Sequence, residues 1–442
     1  MKMIEKMVVL VGAAVGLTGA SAWADPATST ASNPSSDEVR ATVAEYLGDA
    51  ESRSSLLAGG DAGHDDRGFF IAGDSFRLNV GGQLQFRYIA DFRNNDNAQD
   101  FDHGFTNART RMILSGTVNK DWDFKVYGDF ESNGGAFVLQ DAWARYNFAN
   151  GLKLKWGQFV LPLLQEWNVW DSRQLAVERS EVSAMFGQAW SQGIQLSYGT
   201  DNWRLAGAFS DGLNSSNTGI ASNPSSNQTP PYESTSTLQV AGKADWAVTG
   251  RAEYIFQGNW KQFDDFTSPR GSDFGWMLGG AAHYQQNPNT NNPTDVDRDT
   301  FQYTADLTFK GNGWNIFGMF VGRYEQFRAL AANGQDFNDF GGVVQGGYYF
   351  TDKLEAFARW DALFPDTSRF SGSGNDQFHF ITAGVNYYFA GHAAKWTTDA
   401  VISLNKTDRL QSLGLLPDGG TGLQGQNKYN EVMLRTQFQL LF

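Results

Sequence analysis

Residues 429–442 read YNEVMLRTQFQLLF. Val432, Leu434, Thr436, Phe438, Leu440 and Phe442 form one alternate set, and Glu431, Met433, Arg435, Gln437 and Gln439 form the other. A period of two places these sets on opposite faces of a strand. One face suits lipid and the other suits water. A long strand of this kind, ending on Phe, is expected to close a membrane β-barrel whose strands point apolar side chains outward and polar ones inward.

The same period recurs upstream. Its clearest instance sets Phe76, Leu78, Val80, Leu84, Phe86, Tyr88 and Ala90 against Arg77, Asn79, Gln83, Gln85, Arg87 and Asp91. The next runs over about 104–119, with Ala108, Met112, Leu114 and Val118 opposed to Asn107, Arg109, Arg111 and Ser115. Further segments are 122–131, 137–148, 151–159, 193–199, 202–210, 245–257, 273–286, 299–310, 312–326, 338–350, 353–363, 377–389, 395–405 and 429–442, sixteen in all. An even count returns both chain ends to one side of the membrane. Connections such as 119–121, 149–150, 200–201, 311–313 and 351–352 are short, whereas 160–192, 211–244 and 406–428 are long. Short periplasmic turns and long outer loops give this asymmetry. The connection 258–272 breaks the rule, being too long for a periplasmic turn. Soluble sandwich strands run to about 5–6 residues, and barrel strands to about 9–11. The fold class expected is therefore all-β, a sixteen-stranded antiparallel transmembrane barrel over 76–442.

Composition agrees. The 442 residues contain 14% aromatics and 49 Gly, and mean hydropathy is −0.41. Aromatic girdles and many turns fit a barrel, and the mean hydropathy excludes a helical membrane bundle. With 34 basic and 48 acidic residues the net charge is −14, which argues against nucleic acid as a partner. The absence of Cys excludes thiol chemistry. Lys2 and Lys6 precede an apolar run from Met7 to Ala20, and Ala22-Trp23-Ala24 offers a cleavage site before Asp25. Residues 1–24 thus read as a signal peptide. Residues 25–75 read as a periplasmic linker with a short helical segment over 36–57. That segment is either a brief coiled coil, on Val39, Val43, Tyr46, Ala50 and Leu57, or a solvated tether.

The loop 160–192 holds Leu161, Leu163, Leu164, Trp167, Trp170, Met185, Phe186 and Trp190, an apolar content foreign to a solvated loop. It is expected to fold inward and constrict the pore, or to pack across a subunit interface. Its charged residues are Glu166, Asp171, Arg173, Glu178, Arg179 and Glu181. Arg87, Arg109, Arg111 and Arg435 fall on inward positions of strands one, two and sixteen, which adjoin in a closed barrel. Lys125, Arg145, Lys153 and Lys155 also face inward. Clustered cations in a pore favour anions. The competing expectation pairs the arginines with wall carboxylates such as Asp91, Asp141 and Glu431. Asp295, Asp297 and Asp299 alternate as a weak calcium candidate, and Gly59 to Asp66 resembles one calcium β-roll repeat; no cofactor is implied. The five His show no metal-ligand spacing, and His283, although inward, has no assignable catalytic partner.

Residues 139–167, LQDAWARYNFANGLKLKWGQFVLPLLQEW, resemble the phosphate-selective porin O/P family, in which an Asp-Ala-aromatic strand precedes Gly-Gln-Phe, a Pro and an acidic residue. GGQLQFRY at 81–88 and RMILSG at 111–116 fit the same family. The resemblance implies a homotrimeric, sixteen-stranded porin in bacterial outer-membrane lipid, with an inward third loop and an Arg-lined path on which Arg109 and Arg111 are candidates. The family often has a basic residue after Gly-Gln-Phe, where this chain has Val160. The function expected is passive diffusion of small hydrophilic solutes with a preference for phosphate-like anions. The alternatives are a plugged barrel presenting surface loops and, more remotely, a barrel enzyme.

Overall fold

The computed structural model describes residues 61–65, 68–93, 101–130, 137–217, 244–287, 298–327, 336–370, 374–407, 409–410, 423 and 431–442. The expected signal peptide and the 36–57 helical segment lie outside them. The described strands are β1 (Asp61–Asp65), β2 (Gly68–Ala72), β3 (Phe76–Phe92), β4 (Phe101–Val118), β5 (Trp122–Phe130), β6 (Phe137–Asn147), β7 (Leu152–Val160), β8 (Trp190–Gly199) and β9 (Trp203–Ser210). They continue with β10 (Trp246–Gln257), β11 (Gly275–Gln286), β12 (Arg298–Gly311), β13 (Trp314–Phe327), β14 (Asp336–Tyr349), β15 (Leu354–Phe364), β16 (Phe378–Ala390), β17 (Ala394–Ser403) and β18 (Val432–Leu441). From β3 onward each pairs antiparallel with the next, and β18 returns to β3 from Val432↔Phe92 to Leu441↔Gln83. The barrel is closed by sixteen strands, and no described helix is long and apolar enough to cross a membrane.

The alternation decides which face is which. Phe86 is 50% exposed between buried Gln85 and Arg87, and Leu440 and Phe442 are exposed beside buried Gln439. The apolar core lies inside the barrel: Leu161, Leu164, Val182 and Phe186 of the segment 161–189 pack on inward Phe159, Phe317, Val343 and Phe380.

Register shifts interrupt strict alternation in four strand pairs, and those in β4 and β6 each add one unpaired residue that re-aims the side chains beyond it. In β4 the register slips at Gln85/Phe86, so that Ala108 and Arg109 are both buried and Asn107 is turned out. The parity read from the sequence had placed Asn107 inward and Ala108 outward. In β6 the slip at Tyr127/Gly128 buries Gln140 and Asp141 together.

Residues 61–65 and 68–72, within the segment read as linker, form the β1–β2 pair, and β2 pairs with β3 from Phe69↔Val80 to Ala72↔Arg77. The edge of β3 is therefore shared. β18 covers 83–92 and β2 covers 77–80, with Phe442 exchanging backbone hydrogen bonds with Gly82 between them (2.7 and 3.1 Å). Arg77 reaches back to Asp65 at 2.5 Å and lies 3.9 Å over the Phe70 ring.

The connection flagged by its length as 258–272 spans 258–274 in the structure, between strands that end at Gln257 and begin at Gly275. Its extra residues turn into the barrel. A short 3-10 turn at Trp260–Phe263 is capped by Asn259, and Phe266 is buried 4.6 Å from the Phe317 ring. Lys310 Nζ donates to the carbonyls of Gln262, Asp265 and Thr267 and to Asp265 Oδ1, at 2.6–2.7 Å. A buried ammonium so fully satisfied fixes the loop in place.

Deleting residues 61–72 should lower the temperature at which the folded barrel converts to its heat-denatured gel form, while leaving a closed barrel. Heat-modifiable migration measures both.

Candidate functional site

Gly157 opens the route into the inner loop. It has φ +124°, and a Cβ there would meet Ala142 O at 2.2 Å, so only glycine lets β7 approach β6 this closely. After Phe159 and Val160 the chain leaves the wall. Helix α1 (Gln165–Asn168), a 3-10 turn at Asp171–Arg173 and helix α2 (Glu181–Phe186) follow. Ser180 caps α2 by accepting from Ser183 N, and Glu166 accepts from Ser180 N, Ser180 Oγ and Ser183 Oγ. The loop is thus folded upon itself as well as against the wall.

Its acidic residues meet the arginines. Glu178 accepts from Arg87 at 2.6 Å and from both terminal nitrogens of Arg109 at 2.8 and 2.9 Å. Asp171 accepts from Arg109 Nε at 2.7 Å, from Gln83 at 3.1 Å and from Arg111. Arg111 also holds Asp129, and Arg435 forms a two-point pair with Asp399, whose Oδ2 accepts from Val177 N in the loop. The four arginines are brought together as the sequence suggested, but their side chains have 0% exposure. Buried charges are tolerated only when paired, and here the pairs tie the loop to the wall. Of the wall carboxylates expected as their partners, Asp91 lies by Arg93 and Asp141 by Lys125.

Burial alone would raise the Glu178 carboxyl, but Arg109 and Arg87 outweigh it and hold it at about 2. Asp171 is likewise held well below the ordinary carboxylate range by Arg111 and Arg109 against the effect of burial. Backbone staples complete the attachment. Arg251 donates to Leu163 O, Arg359 to Glu178 O, Lys395 to Gln174 O, Asn386 to Leu175 O, Gln302 to Phe186 O and Gln439 to Ser172 O. Asp361 accepts from Glu181 N. The residues making them come from β10, β12 and β15–β18, and none was singled out from the sequence. A polar residue at an inward position carries no mark of what it will touch.

The open space lies on the other side. A cavity of about 540 Å³ separates the loop from β6–β10 and is lined by Arg145, Lys153, Arg173, Arg204 and Arg251, against Glu253 and Asp264. Arg251 is paired with Asp306 and Glu253, and Arg145 with Asp123. Lys153, Arg173 and Arg204 have no carboxylate within 4 Å among the described residues; Arg204 lies 4.0 Å over the Trp260 ring. A second cavity of about 210 Å³ shares Asn168 and Trp170 with the first and reaches Arg111, Lys125, Lys155 and Arg179. Of the residues singled out from the sequence, Arg111, Lys125, Arg145, Lys153, Lys155, Asp171, Arg173 and Arg179 line these cavities, and Arg87, Arg109 and Arg435 do not.

A family model described as phosphate-selective porin O and P matches residues 76–412. This chain belongs to that family. The porin also shares its fold with the anion-selective porin from Comamonas acidovorans (12% identity, TM-score 0.56, covering 83% of this chain and 100% of that one). Two further likenesses are the outer membrane channel DcaP of Acinetobacter baumannii (14%, 0.52, 83% and 98%) and the trimer form of OmpT from Vibrio cholerae (12%, 0.51, 83% and 100%). No curated protein matches the porin by sequence. The family and the barrel place it in the bacterial outer membrane as a channel.

His283 is buried between Thr249 Oγ1 (2.8 Å) and Gln285 Oε1 (3.0 Å). Asp299 lies in β12, while Asp295 and Asp297 fall outside the described residues. Among the described residues no cluster of three or more His, Cys, Asp or Glu is placed to hold a metal ion.

Two outcomes follow from Glu178. Replacing it by Gln leaves Arg87 and Arg109 buried with half their charge compensation, a loss of about 3–5 kcal/mol in such pairs; single-channel records should show a noisier open level. Because its carboxyl is depressed from 4.5 to about 2, its contribution is complete above pH 4.5 and is lost as pH falls through about 2. Conductance controlled by the loop should therefore be constant from pH 7 to pH 5, which bilayer recording at fixed salt tests.

Proposed function

We propose that this porin is a passive, anion-preferring channel that works as a homotrimer in outer-membrane lipid. Its selectivity rests on Lys153, Lys155, Arg173 and Arg204 rather than on the four arginines that hold the loop. The observation that carries this reading is the 540 Å³ cavity lined by five cationic side chains and two carboxylates. A cation not already paired can attract a passing anion, whereas one neutralised by a buried carboxylate adds little field. Phosphate-like solutes suit the guanidinium groups of Arg173 and Arg204, which offer paired N–H donors. The Comamonas porin is anion-selective and the Vibrio one has a trimer form, which support the preference and the assembly.

The test is a reversal potential in a potassium chloride gradient across a planar bilayer. Anion preference is expected. At about 4 Å in water a unit charge contributes about 1 kcal/mol, roughly a five-fold bias. Lys153→Gln with Arg204→Gln should accordingly reduce the chloride-to-potassium permeability ratio several-fold. A barrel giving no conductance steps would instead support the surface-structure reading.

A further inference from the structure

The smaller cavity differs from the larger one in what lines it. Tyr127, Trp143, Phe159, Trp170 and Trp190 all face it, together with Val160. The rings pack on one another edge-on, Tyr127 against Trp170 at 5.1 Å and Trp167 against Trp190 at 5.8 Å. Tyr127, Phe159 and Trp190 are at most 3% exposed, so these positions are set by the surrounding wall.

Cations are set among the rings. Lys125 Nζ lies 3.5 Å over Trp170 and pairs with Asp141 at 2.9 Å. Lys155 Nζ lies 4.0 Å over Phe159 and has no carboxylate within 4 Å among the described residues. The lining carries four cationic side chains and two carboxylates, and Arg111 and Lys125 already answer Asp171 and Asp141. The positive charge left without a carboxylate within 4 Å therefore sits on Lys155. A second observation points to a guest with an acceptor atom. The indole Nε1 of Trp190 is buried and makes no hydrogen bond. A buried indole N–H normally finds a partner.

We infer that this cavity is a binding site for small aromatic carboxylates on their way through the porin. The inference rests on the anion reading above and names a substrate class for it. An engineered cavity of about 150 Å³ takes up benzene, so about 210 Å³ has room for one ring and a carboxylate. The ring packs edge-to-face on the aromatic lining, a contact worth about 0.5–1.5 kcal/mol beyond the area it buries. The carboxylate accepts from Lys155 and from Trp190 Nε1. A hydrated inorganic anion gains the charge but must shed water against apolar walls, so it favours the larger cavity.

The experiment is block of single-channel chloride current in the full-length protein by benzoate, acetate, cyclohexanecarboxylate, benzamide and inorganic phosphate. Benzoate should half-block at a concentration roughly ten-fold below acetate, corresponding to about 1.4 kcal/mol. It should also half-block below cyclohexanecarboxylate, with benzamide the weakest. Trp143→Leu and Lys155→Met should each raise the half-blocking benzoate concentration several-fold. If a variant does not assemble, judged by heat-modifiable migration, the ligand series on the unmodified channel decides alone. Equal block by benzoate and acetate in a channel whose reversal potential is anion-selective overturns this site and leaves the anion reading standing. A cation-selective reversal potential overturns both.

Discussion

A carboxylate stays ionised inside a protein only where cations meet it, and much of this barrel's interior follows from that requirement at Glu178. Two arginines from adjacent strands converge on it, and a third joins them through Asp171. Neither set is stable apart from the other. Without the loop Arg87 and Arg109 would lose the Glu178 carboxylate that compensates them, although Arg111 would keep Asp129, and the loop acids without the wall would be driven neutral. The pairing therefore fixes the loop to β3 and β4 and displaces the lumen toward β5–β10.

That displacement separates two uses of positive charge. The cations with carboxylate partners hold the structure, and on the proposed reading Lys153, Arg173 and Arg204, which line the larger cavity, act on solutes. The net charge of −14 does not foretell this, because it sums the whole chain while a permeating ion responds to the residues beside it. The periplasmic connection 258–274 adds to the asymmetry. Phe266 N donates to Arg173 O at 3.3 Å, so a segment rising from one end touches a loop descending from the other.

The fold was legible because lipid and water sort side chains by a period of two. That rule fixed sixteen strands to within a few residues at nearly every end. It failed locally at the bulges, where Ala108 and Gln140 add a residue that parity counting cannot detect. The candidate site was half legible. Inward cations could be enumerated, but which of them would be neutralised depends on where loop 160–192 comes to rest, and no periodicity encodes that. Lys310 and Asp399 were missed for the same reason: an inward polar residue looks alike whether it faces solvent, another strand or a folded-in loop. The length of 258–274 was the one available signal for the second inward segment.

The shared edge of β3 bears on how the barrel closes. The pairing of β18 with β3 joins residues about 350 positions apart, the slowest kind of contact to form. The pairing of β2 with β3 joins residues about 5–11 positions apart, a local contact that costs far less loop-closure entropy than the pairing with the last strand. Strand pairing can slip, and an odd slip turns every side chain to the wrong face. Here the slip toward β2 is obstructed. Phe442 ends beside Gly68, and its ring covers Gly82, where even a Cβ would come within 2.4 Å. The amino-terminal pair thus acts as a ruler for the carboxy-terminal strand, setting the stagger of the closed sheet and, through it, the tilt and bore of the barrel.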